Sequence, residues 1–390
     1  MKEAGVTHSR AYLLWRYVQP EITDDDIDKT LRVESLRQDP TPVCLSLANE
    51  TVCQVQTWFD KADWTELEKR VNPLVEANIT IIGEVGEGTI TGLPKYKNST
   101  ADPHVLSPDV YLAYIYLTSR ATVRKFKEHV RFWQIENELN EAFLASAGGQ
   151  RTFHLFGSHW ADFDFLTQVL TVLGQAVKDE QPEALVTQNL HTDLSEESHK
   201  KAHIPGFYLD AGVAWAHLVD VFSIDGYPNY FGATPLHGDE MGRRLAALRA
   251  ATNKSVFVME SGYPTVADPS TAPAIANYTE SLQAQYITQV FNATTAAGGC
   301  GFLVFKFQAN SGLPTPPGGF EPADVAALKE LTKEVEDQDL FSMVAFIATH
   351  LKESGRFKYL VDYSQAWGIL RHDGSPRPAV AAIKNAPLPL

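Results

Sequence analysis

What most constrains this chain is a repeating alternation of short apolar runs with helix-like stretches. Runs rich in β-branched and aromatic residues lie at 7–15, 42–47, 79–85, 132–135, 184–188, 219–224, 256–259 and 301–307. Each has the length and residue type of a buried strand. Helical periodicity fills most of the intervals, at 63–76, 111–127, 163–177, 240–251 and 281–297. Strands separated by helices pair in parallel through right-handed crossovers. Eight such units predict a closed (β/α)8 TIM barrel, with an open doubly wound sheet as the rival arrangement. The chain starts only a few residues before the first run, so either the run at 42–47 completes the eight, which is the expectation, or a strand is missing. After the eighth run come a proline-rich loop at 314–322, a helical insertion at 323–351, a turn at Asp373 to Pro376 and a last helix from Pro378. Barrels of this class commonly reach 390 residues as one unit, so residues 1–390 are read as a single domain.

Charge narrows the partners. The formal net charge is −15. Nucleic acid and anionic membranes are bound through basic patches, so both are excluded as partners and a neutral substrate is favoured. No run of 18 apolar residues occurs that would span a bilayer. The opening Met-Lys-Glu-Ala-Gly lacks the apolar core of a signal peptide. Asn-x-Ser/Thr sequons at Asn49, Asn78, Asn98, Asn253, Asn277 and Asn292 point to a secreted origin. The expectation is an extracellular protein whose presequence has been removed, with the cytoplasm as the alternative. Three cysteines, Cys44, Cys53 and Cys300, make no disulfide framework; Cys44 and Cys53 are the pair that could join, and unpaired thiols are expected.

The chemistry gathers at the ends of the runs. In a parallel barrel the site is built at the C-terminal ends of the strands. Those ends supply Arg10, then Glu84 and Glu87, then Glu136, Asn137 and Glu138. Next come Asn189, His191 and Asp193, then Asp225, Tyr227, Asn229 and Tyr230, then Glu260 and Tyr263, and last Lys306 and Gln308. A carboxylate at the end of an apolar strand costs solvation energy unless it has a partner or a task. Two strands end this way most abruptly, Phe132-Trp133-Gln134-Ile135-Glu136-Asn137-Glu138 and Val256-Phe257-Val258-Met259-Glu260. They suggest two facing carboxylates, the pair that glycoside hydrolysis requires. Other chemistries fit less well. Gly83-Glu84-Val85-Gly86-Glu87-Gly88 lacks the order of a phosphate loop, and its glutamates would repel phosphate. His191 with Asp193 is not by itself a metal pair, and no His-x-His occurs. No metal or organic cofactor is expected. Trp58, Trp160, Trp215 and Trp367 are either core or platforms for sugar rings.

Trp133-Gln134-Ile135-Glu136-Asn137-Glu138 together with Val258-Met259-Glu260-Ser261-Gly262-Tyr263-Pro264 resembles the retaining glycoside hydrolases of clan A. Those enzymes carry Asn-Glu at the end of strand four and Glu at the end of strand seven. Glu-Ser-Gly-Tyr-Pro is similar to segments of β-1,3-glucanases and β-1,4-galactanases, and Ile224-Asp225-Gly226-Tyr227-Pro228-Asn229-Tyr230 resembles their strand six. Gly368-Ile369-Leu370 with Asp373-Gly374-Ser375-Pro376 looks like the end of such barrels. The resemblance implies Glu138 as general acid/base and Glu260 as nucleophile; Glu136 alternates onto the same face as Glu138, so it is either the acid in place of Glu138 or the partner of a barrel arginine. It implies Asn137 on the sugar 2-OH and Arg10 and Tyr227 as donors to Glu260; by their place at the strand ends Glu84, Tyr230 and Lys306 are expected to line the substrate cleft, and His191 is either a sugar contact or a satisfied loop histidine. Most members carry Trp at the end of strand eight, where this chain has Phe305-Lys306-Phe307. The implied substrate is a β-linked oligo- or polysaccharide cut by endo action. Exo action, transglycosylation and a non-catalytic carbohydrate-binding barrel are the alternatives.

Overall fold

The computed structural model describes residues 1–18, 32–34, 45–47, 50–52, 59, 62–86, 95–96, 99–100, 107–140, 159, 162–193, 196, 206–229, 234–265, 279–308 and 367–386. Its strands are β1 (His8–Tyr12), β2 (Leu45–Leu47), β3 (Glu50–Val52), β4 (Thr80–Val85), β5 (Lys95–Tyr96), β6 (Ser99–Thr100), β7 (Val130–Ile135), β8 (Leu185–His191), β9 (Val221–Asp225), β10 (Ser255–Ser261) and β11 (Phe302–Val304). Its helices are α1 (Thr65–Glu76), α2 (Pro108–Phe126), α3 (Phe163–Glu180), α4 (Tyr208–Trp215), α5 (Asp239–Thr252), α6 (Glu280–Ala296) and α7 (Pro378–Lys384). One sheet has the order β1-β4-β7-β8-β9-β10-β11. The registers β1/β4, β4/β7, β7/β8 and β10/β11 are parallel. Parallel strands alternating with helices give the fold of a (β/α)8 barrel, with seven such strands among the described residues.

The described part of the run at 42–47 does not join the large sheet. Residues 45–47 pair antiparallel with residues 50–52 in a separate two-stranded sheet. Leu-Ser-Leu and Glu-Thr-Val flank only Ala48 and Asn49. A two-residue connection turns a chain back on itself, whereas a parallel strand needs a crossover of a dozen residues or more. Helix α4 is the opposite case, an element that periodicity does not announce. The proline-rich loop, the insertion at 323–351, Glu87, Tyr230, Trp58, Trp160, Cys44 and Cys53 lie outside the described residues.

By contact the chain divides into two compact units, residues 7–189 with 214–221, and residues 1–6 with 190–213 and 222–390. The chain passes from one to the other just before β1 and again inside β8, α4 and β9. The first unit contains α1, α2, α3, β1, β4 and β7. Ser107 Oγ caps α2 by accepting from Val110 N, with Pro108 in the first turn, and Asp162 caps α3 by accepting from Asp164 N and Phe165 N. Helices α2 and α3 pack together around an ion cluster, in which Glu180 takes Arg120 and Arg124 at 2.7 Å each. Gly83 of β4 lies under Trp133, where a Cβ would come within 2.8 Å of the indole. That indole donates to Gln181 Oε1 at 2.9 Å, which ties β7 to the end of α3.

The second unit contains β9, β10, β11, α5, α6 and α7. Helices α5 and α6 approach closely at Gly242, where a Cβ would sit 2.6 Å from Ala293 O. Asn253 ends α5 in the left-handed conformation, and Thr279 caps α6. Leu370 bridges Gln308 in parallel and Pro376 in antiparallel, which fastens the end of the chain beside β11.

Candidate active site

In the first unit the polar strand ends meet in one buried network. β7 is followed by Glu136 at φ 60° and Glu138 at φ 46°. Two left-handed, non-glycine residues in three are strained and persist only where the surroundings hold them. Several groups supply that hold. Glu136 N donates to Val85 O on the neighbouring strand at 2.8 Å. Gln134 Nε2 donates to Glu136 O (2.9 Å) and to Asn189 Oδ1 (2.9 Å). Glu138 N donates to Asn189 Oδ1 at 3.1 Å. Asn137 Oδ1 accepts from Arg10 (3.0 Å), Asn189 Nδ2 (2.8 Å) and Gln134 Nε2 (3.2 Å). With its oxygen so engaged, the amide nitrogen of Asn137 is turned the other way. Arg10 also donates to Gln134 Oε1 (3.3 Å) and to the Tyr12 hydroxyl, and its Nε lies 3.8 Å from Glu84 Oε2. Glu84, Glu136, Asn137 and Glu138 are all buried.

The second unit carries Glu260. β10 runs two residues past the sequence estimate, so Glu260 and Ser261 belong to the strand. Successive side chains alternate in direction. Ser261 Oγ meets Tyr286 Oη of α6 at 2.7 Å, so Glu260 faces away from that helix. Glu260 is only 5 % exposed. Tyr227 Oη donates to Glu260 Oε2 at 2.5 Å. The Tyr227 ring is wedged edge-on against Trp367 (4.8 Å between centroids) and Phe305 (5.8 Å). Trp367 is therefore buried packing behind the tyrosine, and Trp215 is core as well, stacked on Phe163 at 5.0 Å.

His191, expected beside the substrate, is buried with Nε2 3.5 Å from Asp193 Oδ2. Asp193 also receives Arg244 at 2.5 Å. Burial alone would raise the Asp193 carboxyl, but Arg244 and His191 outweigh it and pull it down to about 2. Asn229 braces its own loop through Pro235 O (2.9 Å) and His237 N (2.7 Å). Lys306 is half-buried, and that burial lowers its pKa. Sequence reading missed Gln134 and Asn189 as the clamps of the Glu136–Glu138 turn. Their signal was a glutamine inside an apolar strand and an asparagine two residues before a histidine. It missed Arg244 because one arginine among three on a helix carries no mark.

No protein-family model and no curated protein matches the chain. Solved structures do, at low identity. The GH53 catalytic domain of Ignisphaera aggregans has TM-score 0.50 and 15% identity, over 98% of this chain and 86% of that one. The exo-β-1,4-mannosidase of an Opitutaceae bacterium has TM-score 0.51 and 14% identity, over 99% of this chain and 53% of that one. A glucosidase from Croceicoccus marinus has TM-score 0.52 and 12% identity, over 98% and 60%. The chain thus spans little more than half the length of the last two. At these identities the likeness establishes the fold: the chain has the barrel fold of these glycoside hydrolases.

Proposed function

We propose that the chain is a single-domain retaining β-glycoside hydrolase with Glu260 as nucleophile and Glu138 as general acid/base. The observation that carries this reading is the state of the two strand-end glutamates. Each is buried, and each is held by groups that fix it in place: Tyr227 on Glu260, and the strained, clamped turn under Glu138. Burial without use is costly for a carboxylate. The shared fold supports the reading, because the structures it resembles are glycoside hydrolases.

The two steps follow from those roles. A Glu260 oxygen attacks the anomeric carbon while the bond to the leaving oxygen breaks, and that oxygen takes the proton of Glu138. A water then gives its proton to Glu138 and attacks the same carbon, which frees Glu260. Asn137, with its oxygen held inward, presents its amide to the sugar 2-OH. Arg10, expected to donate to Glu260, donates to Asn137; Glu84, His191 and Lys306 are assigned to the cleft wall or its support. The substrate class is a β-linked polysaccharide, a β-glucan or a relative, cut by endo action; the net charge of −15 favours a neutral one.

The test uses azide. Glu138→Ala should still form the glycosyl-enzyme from an aryl glycoside with a very acidic leaving group, and should then stall. Azide needs no base, so it should restore turnover and yield the β-glycosyl azide. Rescue of Glu138→Ala to the α-azide would exchange the two roles. Rescue of Glu136→Ala to the β-azide, with none for Glu138→Ala, would move the acid to Glu136. Short oligosaccharides released early from a long β-glucan would mark endo action, and single sugars would refute it.

A further inference from the structure

Asp193 takes no part in the two chemical steps, yet it is among the most tightly engaged carboxylates in the second unit. Its Oδ2 accepts the backbone N–H of Tyr227 at 2.6 Å and faces His191 Nε2 at 3.5 Å. Its Oδ1 accepts Arg244 at 2.5 Å. Arg244 is in turn placed by Thr192 Oγ1 (3.0 Å), and Thr192 is itself pinned to Asp225 O through both its N–H (3.0 Å) and its hydroxyl (2.8 Å). Gly226 completes the fit. A Cβ there would come within 2.9 Å of the Arg244 guanidinium and 2.8 Å of both Thr192 Oγ1 and Met241 Sδ. The residue before Tyr227 is thus packed directly under the Asp193–Arg244 pair.

Tyr227 lies beyond the end of β9, where the ladder no longer holds the chain. Two backbone bonds take over: Gly226 N donates to Glu260 O at 3.1 Å, and Tyr227 N donates to Asp193. Trp367 and Phe305 then fix the direction of the ring, and its hydroxyl arrives at Glu260. We infer that Asp193 is a positioning residue for the nucleophile: with Arg244 as counter-charge it anchors Tyr227, and through Tyr227 it sets the carboxylate of Glu260. This rests on the assignment of Glu260 as nucleophile.

The substitution Asp193→Asn separates this role from ordinary stability. Two donors, Arg244 and Tyr227 N–H, address two different oxygens. An amide offers only one oxygen, so one donor must face an NH2 group and move away. The probes are the 2,4-dinitrophenyl 2-deoxy-2-fluoro β-glucoside, β-galactoside and β-mannoside. Their leaving group needs no acid, so covalent labelling of Glu260, followed by mass spectrometry, reports the nucleophile step alone. Asp193→Asn should lower the labelling rate constant on the order of 10- to 100-fold, the cost of a displaced reacting group, with the binding constant little changed. Tyr227→Phe should lower it too, and the double variant should be no slower than Tyr227→Phe. Labelling of Asp193→Asn at the parent rate, or a double variant slower by the product of the two effects, overturns the inference while Glu260 keeps its role. Failure of all three probes to label the parent at Glu260 overturns the nucleophile assignment and this inference with it. If Asp193→Asn does not fold, Arg244→Gln retains the carboxylate but not its charge partner. It should also slow labelling, and parent-like labelling by it counts against the inference.

Discussion

At the scale of single residues, the pH behaviour of Asp193 is the sharpest consequence of the structure. Its carboxyl is lowered from an ordinary 3.8 to about 2 in the folded state. A carboxylate whose pKa is depressed on folding stabilises the fold above its unfolded pKa, and that stability is lost as pH falls through the folded value. A drop of about two units corresponds to about 2–3 kcal/mol. The side chain is 6 % exposed, so solvent screening removes little of this. The parent should therefore be more stable than Asp193→Asn at pH 6, and the gap should close between about pH 4 and pH 2. Urea unfolding of both proteins across that range measures it, and a gap that persists unchanged at pH 2 would contradict the ion pair with Arg244.

At the scale of elements, the α2–α3 contact depends on one residue. Glu180 ends α3 and receives Arg120 Nε at 2.8 Å and Arg124 Nε at 2.9 Å, besides the closer contacts to their terminal nitrogens. Arg120 and Arg124 stand one helical turn apart on α2, so they reach the same partner. Beside them Tyr116 Oη donates to Asp179 Oδ2 at 2.6 Å, and burial, then the Asp179 bond, pushes that phenol up to about 12. Glu180→Ala leaves Arg120 buried with its counter-charge gone. Removing one partner of a buried pair costs about 3–5 kcal/mol. Part of this pair is half-open, Arg124 being 24 % exposed, so the lower end of that range is expected. Thermal unfolding should show it as a clear fall in Tm, while azide rescue in a Glu138→Ala background should be unaffected, because the cluster lies on the helices and not at the strand ends.

At the scale of the whole molecule, the acidic balance sets what the enzyme meets. A net charge of −15 repels polyanions at long range. Raising the salt from about 0.01 M to 1 M shortens the Debye length from about 30 Å to 3 Å. KM for a neutral β-glucan should hardly move over that range, whereas binding of an acidic polysaccharide such as polygalacturonate should appear only at the high-salt end. Strong low-salt binding of polygalacturonate would reverse the substrate class proposed here.

What was legible in the chain by itself was the alternation of strands and helices and the carboxylates at the strand ends. Both are local signals: an apolar run forms a strand wherever it is buried, and Glu138 and Glu260 stand out because each lies at the abrupt polar end of such a run. The helices at 65–76, 108–126, 163–180, 239–252 and 280–296 follow from periodicity in the same way. What only the tertiary structure decided depends on partners far along the chain. The run at 42–47 has strand composition, but whether it joins the large sheet depends on its pairing partner, and the partner is five residues away. Gln134 and Asn189 are 55 residues apart and become a clamp only when β7 lies beside β8. Arg244 is one of three arginines on α5, and only the fold sets it against Asp193, 51 residues earlier. Composition and period record which residues are buried; which buried polar group meets which is set by the packing of whole elements, and that information is spread over the chain in no short motif.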